Sequence, residues 1–473
     1  MRSLTLIIIL SLAACAVAAQ SRRVGPGSPT PAMSPATQDK GVKEMFDEAN
    51  SYNRTKFAEF EQKKVPVSDS LIQQTQRERK QLAARYAAMV GKRTELSSEE
   101  TYYLGMLHWI ADNLDGARET FSRYLTTSDL PPEKAQDARA ILAVVYARQK
   151  QFPAADKTLS EYMKSSPVRL SQRGQIEKEI AEGMLAGGDV AGAVPHAEGA
   201  YAAYKAIAGD IATREKGIDA VIDSGLFLFK LYQRSDAKEK ADALLDDMRR
   251  TGAATQSAML WYLAVDRQVT YQIETGRKPQ ALALYETTLS GVDKDFTAKN
   301  AQSDLTQKLK RRGVHYKLLG EPAPELIDVA HYFPAEKLTL AELRGKVVLL
   351  DFWATSCAPC IDAFPTMLEW KQDYASQGFA ILGVTRFYGT AEGFTVDNAT
   401  EVDFVKRFAK AHGLTYDIAI AKDETNHRTY GAPVIPTAVL IDRKGIVRYI
   451  ETGTSPYRLD ELREMIEKLL AEK

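Results

Sequence analysis

The spacing of apolar positions divides the chain into two long segments with different secondary structure. From Glu44 onward, apolar residues recur with helical periodicity, and Ala, Glu, Lys and Gln outnumber β-branched residues. The pattern changes near residue 320, and residues 347–353 are almost continuously apolar, which is typical of a central strand buried on both faces. We therefore predict a helical domain over residues 41–312 and an α/β domain over residues 313–473.

The helical segment contains a repeat. Ala117, Ala155 and Ala193 follow one another at a spacing of 38 residues, and a leucine or isoleucine stands 13 residues before each of them. Each alanine also follows a turn-like stretch. The pattern resembles the tetratricopeptide repeat, and Leu104-Gly105, Ala117 and Phe121 fall at the positions that this family conserves in its helix pairs.

This resemblance implies an α-solenoid, a fold whose extended surface often binds a partner protein. The match is degenerate, because the period is 38 rather than 34 residues, and the later candidates Ala241 and Ala281 keep only the second half of the pattern. The alternative is a helical stack in which these alanines and aromatic residues only form core. The expected fold class is therefore an N-terminal helical solenoid followed by the α/β domain.

Strands and helices alternate in the α/β segment. Besides residues 347–353, we predict strands over 380–384, 437–441 and 446–450, and helices over 358–374, 402–411 and 459–470. The sequence Asp442-Arg443-Lys444-Gly445 is a hairpin signal between the last two strands.

Two cysteines directly follow the predicted central strand. Cys357 and Cys360 are three positions apart at the start of a predicted helix, where unpaired N–H groups and the helix dipole stabilise a thiolate. Cys357 can therefore attack a disulfide, and Cys360 can resolve the product. A purely structural disulfide would close too small a ring to gain much chain entropy, and a zinc site would need further ligands. We predict no metal and no cofactor.

The segment GKVVLLDFWATSCAPC, residues 345–360, resembles the thioredoxin superfamily, and in particular the exported TlpA/ResA-like thiol–disulfide oxidoreductases. Three further motifs match in the same order: Glu321-Pro322-Ala323-Pro324, Pro365 and Val434-Ile435-Pro436-Thr437. The resemblance covers about a third of the chain. It implies a thioredoxin-like fold and thiol–disulfide exchange.

The resemblance also assigns roles to individual residues. It implies that Cys357 is the nucleophile, that Cys360 is the resolving thiol and that Pro436 is a cis-proline beside them. A cis-proline lacks a backbone donor and leaves room for an extended client segment to pair next to the disulfide. Pro359 stands where a histidine would favour an oxidant, so we expect a reductase.

Asp351 places a carboxyl group in an otherwise apolar strand, where burial should raise its pKa. The family resemblance implies that this residue accepts the proton of the resolving cysteine. Many TlpA/ResA-like proteins carry a second acid three residues after the second cysteine, but Ala363 occupies that position here. Asp362 is the alternative second acid. Ser356 replaces the tryptophan that usually precedes the nucleophile, which leaves the substrate preference of the family in doubt for this chain.

The first residues are typical of an export signal. One positive charge, a short apolar run and small residues predict a signal peptide over residues 1–19. In a second interpretation the signal ends at residue 14, and Cys15 is lipidated as in bacterial lipoproteins. A Pro-rich linker over residues 20–40 follows. Both interpretations predict export to the bacterial periplasm, with or without a lipid anchor.

Composition narrows the classes of function. Lys plus Arg and Asp plus Glu each number 62, so the net charge is zero and the basic excess of a nucleic-acid-binding protein is missing. The leading hypothesis is an exported enzyme that reduces disulfides of client proteins and is recharged by a membrane electron donor. The alternatives are a binding protein with a thioredoxin-like platform, and a thiol peroxidase, although Leu350 and Ala354 stand where peroxiredoxins carry proline and threonine.

Overall fold

The computed structural model describes residues 40–335, 337–453 and 456–472, without the side chains of residues 456–458. The predicted signal peptide, Cys15 and residues 20–39 of the predicted linker lie outside the described residues. Among the helices that are described, none combines the length and the apolar character that a membrane span requires. The chain divides into two compact units, with the division in the sequence between Thr120 and Phe121.

The first unit is helical. Helix α3 begins with a capping box, in which the Ser97 hydroxyl accepts a hydrogen bond from the Glu100 N–H and the Glu100 carboxylate accepts one from the Ser97 N–H. Apolar side chains from the first three helices form the core, including Met45, Tyr86 and Leu107. The helices of this unit are α1 (Val42–Gln62), α2 (Asp69–Val90), α3 (Ser98–Ile110) and most of α4 (Leu114–Tyr124).

The second unit begins with nine further helices that pack against their neighbours in sequence. They are α5 (Pro132–Arg148), α6 (Phe152–Lys164), α7 (Leu170–Ala186), α8 (Val190–Gly209), α9 (Arg214–Arg234), α10 (Lys238–Thr255), α11 (Ala258–Glu274), α12 (Lys278–Asp295) and α13 (Lys299–Leu318). The repeat alanines Ala155, Ala193, Ala241 and Ala281 are completely buried. A small side chain at these positions lets paired helices approach closely. The predicted helical region is confirmed, and its tetratricopeptide character stays a prediction.

The α/β part of the second unit is built on a six-stranded sheet in the order β1-β6-β3-β2-β7-β8. Strands β2, β3 and β6 are parallel, and β1, β7 and β8 are antiparallel to their neighbours. The strands are β1 (Val329–Phe333), β2 (Val347–Phe352), β3 (Phe379–Arg386), β6 (Asp417–Ala421), β7 (Thr437–Ile441) and β8 (Val447–Thr452), with a small separate hairpin of β4 (Thr390–Ala391) and β5 (Phe394–Thr395). The remaining helices are α14 (Ala358–Tyr374), α15 (Asn398–Ala411), α16 (Thr425–Thr429) and α17 (Pro456–Ala471).

The elements predicted from the pattern are present, and two strands of the main sheet were missed. Strand β1 is short and only partly buried, and β6 carries two alanines, so neither has a long β-branched run. Helix α15 begins before the predicted start because Asp397 caps it by accepting a hydrogen bond from the Thr400 N–H. The predicted hairpin is confirmed: the Gly445 N–H donates to the Asp442 carbonyl, and Gly445 has a φ of 76°.

The two faces of the sheet bury different cores. Alternate residues of β2 point to opposite faces, so Leu349 joins the core beneath α14, α15 and α17, which we call the disulfide face. Leu350 joins a second core on the other face, which we call the junction face. This second core runs without interruption from Trp261 in α11, through α12 and α13, to Ile450 in β8. The predicted domain boundary at residues 312 and 313 lies within α13, so helices and sheet share one core there.

Candidate active site

The central strand delivers two cysteines to the start of a helix. Cys357 and Cys360 form a disulfide, and Cys357 is the N-cap residue of α14. The Cys360 N–H donates to the Cys357 sulfur at 3.3 Å, so a backbone donor already points at this atom. Cys357 is 9% exposed, whereas Cys360 is completely buried. A molecule that approaches from solvent therefore meets the Cys357 sulfur first.

The predicted cis-proline lies at the same edge of the sheet. The Ile435–Pro436 peptide bond is cis, and the next residue, Thr437, begins β7 directly opposite Phe352 at the end of β2. The loop that carries the cysteines leaves the sheet after Phe352, so both loops meet at this edge. Val434, which precedes the cis bond by one residue, is 51% exposed and is open to contact from solvent.

Asp351 is only 3% exposed. It lies two residues before Trp353, and because alternate residues of a strand share a face, its side chain lies on the disulfide face. Its neighbours in the sheet are Gly383 on β3 and Ala438 on β7, which carry no charge. Burial raises the pKa of Asp351 to about 7. A carboxyl group with this pKa exchanges its proton near neutral pH, as a proton relay must.

The structure also shows how exposed the remaining candidate residues are. Ala363 is on the buried side of α14, at the position where a second acid would stand. Asp362 lies next to it in sequence but is exposed on the outside of the helix. Asp351 is therefore buried in the central strand, whereas Asp362, the alternative second acid, is open to solvent. Ser356 is exposed beside the disulfide.

Sequence reasoning missed two polar side chains next to Asp351. The Tyr416 hydroxyl and the Trp353 ring N–H are both buried, and neither has a hydrogen-bond partner among the described residues. Trp353 was read as the last apolar residue of the strand. Tyr416 directly precedes β6, the strand that the pattern did not predict, so no sequence signal connected it to the site.

A small hairpin borders the same edge of the sheet. It follows the carboxyl end of β3, and β3 runs parallel to β2. The buried carboxylate of Glu401 accepts hydrogen bonds from the N–H groups of Tyr388 at 2.7 Å and Gly389 at 2.9 Å, which anchors the base of the hairpin. Phe394 at its tip is 73% exposed. The hairpin therefore presents an apolar side chain on the active-site edge.

On the junction face, an ion pair connects the helices to the sheet. The Arg312 guanidinium of α13 donates to the Asp266 carboxylate of α11 at 2.6 Å and to the Ile450 carbonyl of β8 at 2.7 Å. The Tyr316 hydroxyl also donates to Asp266, at 2.7 Å. Burial opposes the ionisation of Asp266, but the charge and hydrogen bonds of Arg312 outweigh it and lower the pKa of Asp266.

A histidine extends this network to the loop before the cis-proline. His315 Nε2 lies 2.6 Å from the Gly431 carbonyl, and its Nδ1 lies 2.9 Å from Arg312 Nη1. Both contacts are satisfied by the neutral tautomer that carries its proton on Nε2, because Nδ1 then accepts from the guanidinium. Burial and the Arg312 charge lower the pKa of His315 to about 4. Helix α13 thus holds the segment that leads into the cis-proline loop.

Comparison with the sequences of known proteins identifies a family. The Redoxin family profile matches residues 318–466. The thiol–disulfide oxidoreductase ResA of Geobacillus thermodenitrificans is 35% identical over 137 residues, which cover 29% of this chain and 70% of ResA. This chain belongs to the ResA-like thiol–disulfide oxidoreductases. Its C-terminal region is thioredoxin-like, as the residues around Cys357 and Cys360 indicated.

A second relative is matched over a smaller part of its own length. Protein DipZ of Mycobacterium tuberculosis is 33% identical over 218 residues, which cover 44% of this chain and only 28% of DipZ. Among solved structures, a thiol:disulfide interchange protein of the thioredoxin family from Chlorobium tepidum TLS is 23% identical, with a TM-score of 0.27, and the match covers 32% of this chain and 97% of that chain. The helices before α13 lie outside the Redoxin match.

Proposed function

We propose that this protein is an exported disulfide reductase that acts on client proteins through Cys357 and Cys360. The observation that carries the proposal is the asymmetry of the pair: Cys357 at the helix N-terminus is 9% exposed, and Cys360, one turn deeper, is completely buried. The helix dipole and the Cys360 N–H favour a thiolate on Cys357. This is the arrangement that an attacking and a resolving thiol require.

The reaction proceeds in two exchanges. In the first, the Cys357 thiolate attacks a client disulfide, a bond forms between the two sulfurs, and the other client sulfur leaves as a thiolate. In the second, Cys360 loses its proton to Asp351 and attacks the Cys357 sulfur, which releases the second client thiolate and restores the internal disulfide. Two electrons pass to the client. A membrane electron donor then reduces the internal disulfide for the next cycle.

Reduction of a disulfide-bonded reporter such as insulin by the pre-reduced full chain tests this activity. We expect Cys357→Ser to abolish reduction and Cys360→Ser to accumulate a mixed disulfide that a non-reducing gel resolves. The Ser356→Ala variant is the matched control, because it changes the neighbouring exposed side chain and keeps both thiols. A wild-type chain that leaves the reporter oxidised, or a Cys360→Ser variant that forms no mixed disulfide, would contradict the proposal.

The direction of the reaction depends on the reduction potential. Pro359 between the cysteines supports a reductase, since a histidine there would stabilise the thiolate and favour an oxidant. Equilibration of the full chain with glutathione buffers, followed by thiol trapping and mass spectrometry, should give a potential below about −230 mV; a potential above about −150 mV would make the protein an oxidant. The full chain is used because the sheet shares its junction-face core with α11, α12 and α13.

The amino-terminal residues support export. The apolar run and small residues before Gln20 favour an ordinary signal peptide, and the sequence Leu12-Ala13-Ala14-Cys15 favours a lipoprotein signal. The mass of the mature chain distinguishes them, because one form begins at Gln20 and the other begins at a lipidated Cys15. A mature chain that retains Met1 would contradict export by either route.

The helical region supports a role in holding clients. Its repeat alanines are buried at helix–helix contacts, as in solenoids that bind proteins, and Ile211 and Met259 are 83% and 67% exposed. We expect Ile211→Ser combined with Met259→Ser to slow the reduction of a protein disulfide and to leave the reduction of a small-molecule disulfide unchanged. Equal rates with the protein disulfide would count against binding through these side chains.

A further inference from the structure

Three buried polar atoms on the disulfide face have no hydrogen-bond partners among the described residues. They are Oδ2 of Asp351, the hydroxyl of Tyr416 and Nε1 of Trp353, and none of them has a hydrogen-bond partner within the described parts of the chain. The three side chains are at most 3% exposed. Buried polar atoms are rarely left unpaired, because each one loses its hydrogen bonds to water on folding without gaining a replacement.

Gly383 brings the three side chains together. It lies directly opposite Asp351, in register on the neighbouring parallel strand. A Cβ atom at Gly383 would lie 2.9 Å from Trp353 Nε1 and 3.1 Å from the Tyr416 ring. Both side chains therefore occupy the place that a side chain of β3 would fill beside Asp351, and only glycine leaves room for them.

We propose that Tyr416 is a positioning residue for Asp351: its hydroxyl, together with the Trp353 N–H, donates to the Asp351 carboxylate through a bridging water molecule. Both groups are donors, and the ionised carboxylate is an acceptor. The proximity of Tyr416 and Asp351 is also expressed in their electrostatics, because burial and then the Asp351 charge raise the pKa of Tyr416. The inference rests on the proposed function, in which Asp351 accepts the Cys360 proton.

The chemical step is a proton transfer. The S–H bond of Cys360 breaks, an O–H bond forms on Asp351, and the Cys360 thiolate is free to attack. The two donors stabilise the carboxylate before the transfer, so they lower the pH at which Asp351 is ready to accept the proton. Without them, burial alone would hold Asp351 in its protonated form to a higher pH.

Within the part of the chain that the structure describes, few other titratable groups face Asp351. Its sheet neighbours are Gly383 and Ala438, and the cysteine pair belongs to the core of the same face. The ring of His412, at the end of α15, lies 4.3 Å from the Phe408 ring, which in turn stacks on the Trp353 ring at 5.7 Å. The Phe408 ring therefore lies between His412 and the Trp353 ring of the cluster, and a His412→Gln variant removes this imidazole.

The test measures the Asp351 carboxyl group itself in the full chain. Carbon-13 carboxyl resonances are followed with pH, and the Asp351 signal is the one that disappears in Asp351→Asn. We expect Tyr416→Phe to shift this titration upward by about one pH unit, as loss of one charge-assisted hydrogen bond predicts. The reactivity of the Cys360 thiol should shift with it. An unchanged titration would overturn the proposal.

Control variants separate positioning from damage to the fold. Tyr430→Phe removes a buried hydroxyl on the junction face, where it donates to the Pro324 carbonyl, and should leave the Asp351 titration unchanged. Gly383→Ala should shift it upward like Tyr416→Phe, because the new methyl group displaces both donors, and it replaces that variant if Tyr416→Phe does not fold. The titration does not require catalysis, so inactivity toward the reporter would contradict the proposed function without deciding this inference.

Discussion

Two aspartates on opposite faces of the same sheet have opposite pKa shifts. Asp351 on the disulfide face has no charged partner among the described residues, and burial raises its pKa to about 7. Asp266 on the junction face accepts hydrogen bonds from Arg312 and Tyr316, and its pKa is lowered although burial acts against ionisation. Burial is common to both residues, so the partners decide the sign. One carboxyl group is suited to exchange a proton, and the other is suited to hold two elements together.

The two faces of the sheet also have different roles. The disulfide face carries the residues to which we assign chemistry, whereas the junction face joins α11, α12 and α13 to the sheet through a common core. The contact between His315 and the Gly431 carbonyl shows that the junction reaches the chain segment before the cis-proline. The helical region is thus part of the support of the site.

The largest effect should follow from breaking the ion pair on the junction face. Arg312→Met leaves the Asp266 carboxylate partly buried without its guanidinium, and we expect a loss of about 3–5 kcal/mol in the free energy of unfolding. Urea titration of the full chain measures it. Adding Asp266→Asn to Arg312→Met should recover most of the loss, because the remaining amide is neutral. No recovery would mean that the loss comes from packing rather than from an unpaired charge.

Removal of the Asp351 carboxyl group should instead increase the free energy of unfolding. Because the pKa of Asp351 is about 7 in the folded chain and about 4 in an unfolded one, its ionisation destabilises the folded state. The penalty is absent below about pH 4, grows as the pH rises and reaches about 4 kcal/mol above pH 7. Asp351→Asn should therefore be more stable than the wild type at pH 8 and lose this pH dependence. Equal pH dependence of the two proteins would contradict a raised pKa.

Protonation of His315 should have a smaller effect on stability, and it should act at acidic pH. Its folded pKa of about 4 lies below the unfolded value of about 6.5, so protonation favours the unfolded chain. Stability should fall by about 3 kcal/mol as the pH decreases from about 6.5 to about 4, and His315→Gln should lack this part of the decline. His331→Gln, at an exposed position, is the matched control. If stability declines equally in His315→Gln, the decline comes from other groups, such as His427.

The smallest effect is expected for an exposed ion pair between α9 and α17. Lys230 Nζ lies 3.3 Å from the Glu464 carboxylate, and the two side chains are 46% and 69% exposed. Solvent and salt screen such a pair, so Lys230→Ala should change the free energy of unfolding by no more than about 0.5 kcal/mol. A loss comparable with that of Arg312→Met would mean that exposure does not distinguish the two contacts.

Much of the fold and of the site was predictable from local pattern. The apolar run before the cysteines, the hairpin signal after β7 and the helical periodicity each depend on residues close in sequence, and the structure confirms the elements. Asp351 was identified because a carboxyl group in an apolar strand is unusual in any context. Strands β1 and β6 were missed because they are short and gain their place from pairing with each other and with β3, which sequence spacing does not reveal.

The two kinds of secondary structure, the cysteine pair at a helix start and the presence of a buried acid could all be predicted from the amino-acid sequence, because they follow from periodicity and from the order of neighbouring residues. The groups that surround this acid could not be predicted, because they come together through contacts between distant parts of the chain. Tyr416 is 65 positions from Asp351 in the sequence, and register with Gly383 brings it close. The structure alone also decided that the helices and the sheet share a core, because the apolar faces of α11, α12 and α13 show which residues are buried but not what they contact.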